Sequence, residues 1–326
     1  MNWQRWSSTL LLLCVLLALA IVIGVRWGSE SLDWSAVWRD PQSVDHHIFY
    51  LSRLPRVLLA AVVGMGLAAA GASFQGLLKN PLADPFILGV SSGAALAGIV
   101  TLAFGIGFPW ISFSSFAGAL AAMVLVYGLA TYKRRPNPET LLLTGVVFNA
   151  FAYAFILLIN SLATIDQSHR ILFLLIGTLD TVRYSDLVTV AVLVFIGVII
   201  LTLEGRPLNA LAEGSDSARA LGLDPGRHQR RIFFAASLIV GAVVSLSGLI
   251  GFVGLFVPHI VRRLWGPDHR LLIPAAGLMG ASILICCDVV ARTVGFETGF
   301  AGQLPVGAIT ALLGAPFFLI LLRKLK

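Results

Sequence analysis

What most constrains this chain is the recurrence, from end to end, of apolar runs about 18 or more residues long, each enough to cross roughly 30 Å of hydrocarbon. The runs cover 9–25, 57–78, 86–104, 113–132, 140–162, 187–203, 232–250, 252–264, 271–290 and 306–322. With 58% hydrophobic residues, 12% charged ones and a mean hydropathy of +0.91, a soluble core could not bury this much apolar surface. The pattern predicts an all-α, polytopic membrane protein of about ten transmembrane helices, with residues 1–326 forming one transmembrane domain.

The eighth run is short, so about thirty residues between Ile232 and Leu264 must hold two crossings. Charge decides the count. With ten spans and a cytoplasmic N-terminus, sixteen of the 23 basic residues fall inside: Arg5, Lys79, 133–135, five arginines in 206–231, Arg262, Arg263, Arg270, Arg323, Lys324 and Lys326. Nine spans would move the clusters at Arg262 and Arg323 outside, against the inside bias of positive charge. Both termini are therefore expected in the cytoplasm, and 232–264 is expected to be a broken helix pair with Gly248, Gly251, Gly254 and Pro258 as breaks. The net charge of +7 orients the chain in its membrane and implies no nucleic-acid partner. The N-terminal run lacks a small-residue cleavage site and reads as a retained first span.

Small residues crowd the second run, including Gly64, Gly66, Gly71 and Gly76, which predicts close helix approach and a central position. A weak internal echo, a Gly-Ala helix, a proline break and a second glycine-rich helix, occurs over 71–93 and again over 241–280. Cys14, Cys286 and Cys287 sit inside apolar runs and read as buried, inert thiols. His46 and His47 have no acidic or cysteine companions at ligand spacing, so no metal site is expected there.

The polar stretch 204–231 reads as two short helical pieces. The second begins at Ser215 with a serine or aspartate N-cap and ends before Gly222, and 224–226 turns the chain. Leu208, Leu211, Leu221 and Leu223 give it an apolar side, which reads as a docking surface for a soluble partner, with packing on the chain itself as the alternative. On the opposite face, Arg53 and Arg56 flank Pro55 at a helix entrance, where an external binding task and contact with lipid phosphates fit equally, and Arg292 follows Asp288 by four residues, so an Asp288–Arg292 pair fits as well. Gln75, Asn149 and Asn160 read as interhelical hydrogen-bonding residues. The chain has no Gly-Lys dipeptide, hence no phosphate cradle of its own, and no His-Glu-x-x-His or Gly-x-Ser-x-Gly set. Energised transport by such a chain needs an external motor, and the rival class is an ion-gradient-driven secondary transporter, which needs intramembrane acids.

Particular residues carry a family resemblance. The Arg53-Leu-Pro-Arg56 segment, the block 71–94 with Asn80-Pro81 and Asp84-Pro85, 141–145, 212–224, 251–262, 288–292 and 304–318 together resemble the FecCD-type permeases of type II ABC importers for vitamin B12, haem and iron–siderophore complexes. The resemblance implies a permease, not an enzyme, that moves such a chelate across a bacterial inner membrane by alternating access. It further implies a homodimer or close heterodimer, two ATP-binding subunits below that hold ATP and Mg, a substrate-binding protein above, and no cofactor on this chain. Arg53, Arg56 and Arg292 would pair with the binding protein. Glu213, Gly214, Ser215, Ala218, Arg219, Leu221, Gly222 and Leu223 would couple to the ATPases. Pro138, Glu139 and Thr140 would lie near the cytoplasmic gate, the fifth span with Asn149 and the tenth span would line the pathway, and 171–180 would form an external half-helix. Two departures stand out: Gln303 replaces the usual acid before Leu304, and the half-helix reads Leu174-Leu-Ile-Gly-Thr178 where tryptophan, methionine and serine are commoner.

Overall fold

The computed structural model describes residues 3–28, 31–132, 138–180, 182–297 and 304–324. Lys133 to Arg135, 298–303 with Gln303, and Lys326 lie outside the described residues. The chain is a helical bundle. Its helices are α1 (Trp3–Arg26), α2 (Trp34–Arg39), α3 (Val44–Ile48), α4 (Leu54–Leu77), α5 (Val90–Ala103), α6 (Trp110–Thr131), α7 (Pro138–Leu162), α8 (Ile165–Ile176), α9 (Tyr184–Leu203), α10 (Gly205–Glu213), α11 (Ser215–Ala220), α12 (Pro225–Ser247), α13 (Val253–Trp265), α14 (His269–Glu297) and α15 (Val306–Lys324). Among the described residues seven stretches are long and apolar enough to span a membrane, and α5 and α15 contribute shorter apolar helices.

The small residues of α4 place it at the centre, as their crowding predicted. A Cβ on Gly64 would lie 2.3 Å from the Gly280 carbonyl oxygen of α14, and one on Gly71 would lie 2.0 Å from that of Gly254 in α13. Backbone therefore packs on backbone along two sides of α4, a contact that any side chain at those positions would prevent. Pro258 lies inside α13 and has no N–H to offer the carbonyl of Gly254, four residues back, so that oxygen is turned towards Gly71 instead. Across the same seam the Gln75 side-chain amide donates to the Leu255 carbonyl at 3.1 Å, while its oxygen accepts from Arg262 at 2.9 Å.

Two of the expected breaks move. Gly254 and Pro258 are helical, and the interruption between α12 and α13 is 248–252, with Gly248 at φ 64° and Phe252 at φ 69°. A phenylalanine in left-handed backbone is a strained choice, and local support has to hold it there. Asp84 supplies that support: its carboxylate accepts the Phe86 N–H at 2.8 Å and also the Phe252 N–H. Thus the break before α5 and the break before α13 meet on one acidic side chain. Pro85 packs on Gly254 at the same point, where a Cβ would lie 2.7 Å from the proline ring. Irregular backbone inside a membrane protein persists where protein covers it, and these two segments cover each other.

The half-helix is longer upstream than expected. α8 begins at Ile165 with a full capping box from Thr164 and Gln167, and Gly177 ends it, so 177–180 is not helical. Its end is stitched to the other breaks: Thr178 N–H donates to Ser247, Leu249 N–H to Leu174, and Gly307 N–H to Gly177. This face of the bundle is opposite the one carrying α10 and α11. The N-terminus lies on the α10–α11 face, where Arg270 covers the Trp6 ring at 5.0 Å from its centroid.

Candidate functional site

Two groups of predicted residues are brought together, one at each face. On the α8 face, α3 runs into a π turn, Phe49–Arg53, and then directly into α4. Pro55 thus stands just beyond a widened turn within a longer helical stretch, not at a free helix entrance. The missing Pro55 N–H would have met the Leu51 carbonyl in an α-helix, and a π turn absorbs that loss. The turn aims Arg53 at the end of α1, where its guanidinium donates to the Val25 carbonyl at 3.3 Å. Arg56 Nε donates to Asp288 Oδ1 at 2.8 Å, and Arg292 Nε pairs with Asp288 Oδ2 at 2.9 Å. Arg292 also donates to the Gly24 carbonyl at 3.1 Å.

The three arginines are therefore not surface groups. Arg53, Arg56 and Arg292 are buried, and the Asp288 side chain is 0% exposed. The Asp288–Arg292 pair allowed by the i,i+4 spacing forms, and Arg56 joins it from α4, 232 residues away in sequence. One carboxylate shared by two guanidiniums ties α1, α4 and α14 together at one end. Asp288 is the residue whose central place the sequence least advertised. Its acid type within an apolar run was the available signal.

On the other face the expected loop is tied to the body at its base. α10 and α11 are the two short pieces, although Gly214, at φ 154°, occupies the N-cap of α11 where a serine or aspartate was expected. The far end matches expectation. Gly222 is left-handed at φ 76°, its N–H donates to Arg219, and the Leu223 N–H reaches Ala218, a complete Schellman closure. Arg219 pairs with Asp216 at 2.9 Å, and Glu213 is exposed beside them.

The loop's apolar side divides. Leu208 and Leu211 are buried against the body, whereas Leu221 is 69% exposed at the tip. Polar anchors that the sequence reading did not single out fix its base. Glu204 pairs with His228 at 2.5 Å and Arg231 at 3.3 Å, joining the start of α10 to α12. Asn209 donates to Asp268 at 2.8 Å and accepts the His269 N–H at 3.0 Å, joining α10 to α14. Arg270 beside Asp268 holds that carboxyl at about 2, well below the ordinary carboxylate value. Between α11 and α12 is a recess of about 370 Å³ lined by Ser215, Arg219, Leu223 and Asp224.

Pro138, Glu139 and Thr140 open α7, with Glu139 in its first turn, where a carboxylate suits the helix dipole. Asn149 is used for bonding. Its amide donates to the Phe86 and Ile87 carbonyls at 2.9 and 3.1 Å, fastening α7 to the 85–88 turn, and Gly145 lets the two backbones touch. Asn160 accepts from Ser168 at 2.8 Å, linking α7 to α8 beside a cavity of about 670 Å³. Of the cysteines Cys287 alone is buried; Cys14 on α1 and Cys286 on α14 are exposed, because each of these helices has a side that the rest of the chain does not cover.

This arrangement has the parts of a transport subunit rather than of a catalyst. It matches known proteins over most of its length. Cobalamin import system permease protein BtuC of Halobacterium salinarum is 42% identical over 83% of this chain and 72% of that protein. Hemin transport system permease protein HmuU of Yersinia pestis is 37% identical over 97% and 94%. A solved ABC transporter structure, described as of metal-chelate type and inward-facing, superposes with a TM-score of 0.86 at 31% identity, covering 98% of this chain and 99% of that one. The model of the FecCD transport family matches residues 11–324, and the chain belongs to that family.

Proposed function

We propose that this chain is the pathway-forming half of an ATP-driven importer that carries a metal chelate of the siderophore, haem or cobalamin type across a bacterial inner membrane. Two copies would face each other across α7 and α15, whose large apolar side chains, among them Leu143, Val147, Phe151, Leu312 and Leu313, are exposed on the single chain. Such continuous apolar surface calls for a partner or lipid. The cavity beside α8 would open at the outer mouth. Two ATP-binding subunits, holding ATP and Mg, would seat on α10 and α11 in the cytoplasm, with both termini on that side. A substrate-binding protein would dock on the α8 face.

The observation that carries this reading is the α10–α11 unit: bolted at its base by Glu204 and Asn209, closed at Gly222, and presenting one exposed leucine. Force applied at Leu221 is delivered to α12 and α14 without deforming the loop. The docking role implied for Arg53, Arg56 and Arg292 requires that partner carboxylates compete with Asp288 for Arg56 and Arg292, and with the Val25 carbonyl for Arg53, whose guanidiniums are now enclosed. Alternating access then follows from differential contact in two states, since nothing else shifts a conformational equilibrium.

The test is uptake. Proteoliposomes holding this permease with its co-purified ATPase should take up a chelate from its binding protein when ATP is inside and should be silent without ATP. Uptake by the permease alone, driven by a proton or sodium gradient, would overturn the assignment. A panel of ferric siderophore, haem and cobalamin identifies the cargo.

A further inference from the structure

On the α8 face, away from α7 and α15, a cleft of about 340 Å³ opens between the first turns of α6 and α9 and the end of α12. Its walls are apolar, formed chiefly by Phe113, Phe116, Val190, Leu193 and Leu246, and Trp110 stands at the rim, 62% exposed. Asp186, in the first turn of α9, also lines the cleft. Its Oδ2 is sealed from solvent and has no hydrogen-bond partner among the described residues, while Oδ1 has a long 3.4 Å contact from the Ser185 hydroxyl. An incoming donor therefore meets this carboxylate at Oδ1, the oxygen on the exposed side, and the charge it offsets is one that the described residues leave almost without hydrogen bonds. Three residues earlier is Arg183, exposed, with its guanidinium 5.7 Å from the centroid of the Phe108 ring.

The cleft thus offers, at the end of membrane-spanning helices, a carboxylate and a greasy slot beneath it, and Phe108, the ring under the exposed Arg183 guanidinium, directly precedes Pro109 of the cleft lining. A phospholipid with a primary ammonium presents the matching groups. Its ammonium carries three donors, its phosphate suits arginine, and its acyl chain needs an apolar groove. Choline headgroups lack N–H donors, and glycerol headgroups lack the positive charge. We propose that this cleft is a lipid site for one aminophospholipid, held by Asp186 through its ammonium and by Arg183 through its phosphate, with an acyl chain along Phe113, Phe116 and Leu193. Occupied, it bridges α6, α9 and α12 at one end of the bundle.

The full-length permease, delipidated in detergent, is titrated with phosphatidylethanolamine, phosphatidylcholine and phosphatidylglycerol of identical acyl chains, read by native mass spectrometry and thermal melting. Wild type should retain one phosphatidylethanolamine per chain about tenfold more tightly than either other lipid and melt several degrees higher with it. Asp186→Asn should reduce that preference to twofold or less. Leu193→Trp, which fills the slot and spares Asp186, should lose all three lipids. Equal retention of the three lipids by wild type overturns the proposal without any variant. So does an undiminished preference in Asp186→Asn, or a cleft that excludes lipid and is covered instead by a soluble protein.

Discussion

The seam of α4 with α13 and α14 and the flank formed by α7 are built on opposite rules. Over its apolar stretch α4 is 94% buried within the chain, whereas α7 is 17% buried. The seam closes backbone to backbone at Gly64 and Gly71, with buried side chains such as Leu67 and Phe74, one glutamine and shared ions filling the rest. The flank is made of leucine, valine and phenylalanine that meet nothing in the single chain. Both stretches are equally suited to hydrocarbon by hydropathy, at 2.1 and 2.2, so greasiness does not distinguish them. Residue size does. Small residues mark where the chain packs on itself, and large ones mark where it waits for lipid or a second protein.

The strongest way to break this contrast is to put bulk into the seam. Gly71→Leu drives a side chain into the Gly254 carbonyl, where a Cβ alone would already stand at 2.0 Å. We expect loss of monodisperse protein in size-exclusion chromatography. Added bulk on the flank is no such burden: Val147→Leu on α7, at an exposed site, should leave the elution profile unchanged.

Next in size is the ion cluster. Asp288→Ala leaves the Arg56 and Arg292 guanidiniums enclosed without their carboxylate, at a cost of about 3–5 kcal/mol, read as a large drop in melting temperature. The same cluster separates anchoring from docking. Arg56→Gln should destabilise the isolated permease, and if docking exchanges Asp288 for a partner carboxylate, it should also weaken the binding protein's affinity in a salt-dependent way. Lost stability with unchanged affinity would leave the arginines as anchors alone.

How far this was legible in the sequence follows from range. The centrality of α4, the ten spans and the Gly222 closure were readable because composition and local capping determine them. The site of the break after α12 was not. Gly254 and Pro258 look like interruptions, yet the missing Pro258 hydrogen bond is what frees a carbonyl for packing, and the left-handed residue is Phe252, a type that gives no warning. Likewise Arg53 and Arg56 read as exposed because Asp288 lies 232 residues from Arg56 and no local pattern announces the pair. Asp84 shows the same limit, since its second partner, the Phe252 N–H, lies on another helix.

A smaller effect belongs to the base of the α10–α11 loop. Asp268 is held at about 2 by Arg270, below its ordinary 3.8, so the stabilisation it brings is complete above about pH 4 and is lost as pH falls through about 2. Asp268→Asn should therefore lower stability near neutrality by about 1 kcal/mol, a figure already discounted for partial exposure. The gap between variant and wild type should close in melts taken from pH 5 down to pH 2. A gap independent of pH would mean that Asp268 acts through shape, as the acceptor for Asn209, and not through charge.

The smallest stability change should fall on Leu221, the residue for which the proposed function asks most. Leu221 is exposed at the tip of α11, and an aspartate there meets water, so Leu221→Asp should alter unfolding free energy by no more than about 0.5 kcal/mol. Leu211→Asp, one helix earlier and buried, should destabilise by several times that amount, which calibrates the measurement. If α10 and α11 are the seat of the motor, Leu221→Asp removes an apolar knob from an interface that needs it. ATP hydrolysis should then continue while chelate uptake falls at least tenfold. A leucine conspicuous in the single chain would thereby be explained as α7 is, by a surface that another protein completes. Coupled uptake at the normal rate in Leu221→Asp would detach the loop from the motor while leaving the seam of α4 untouched.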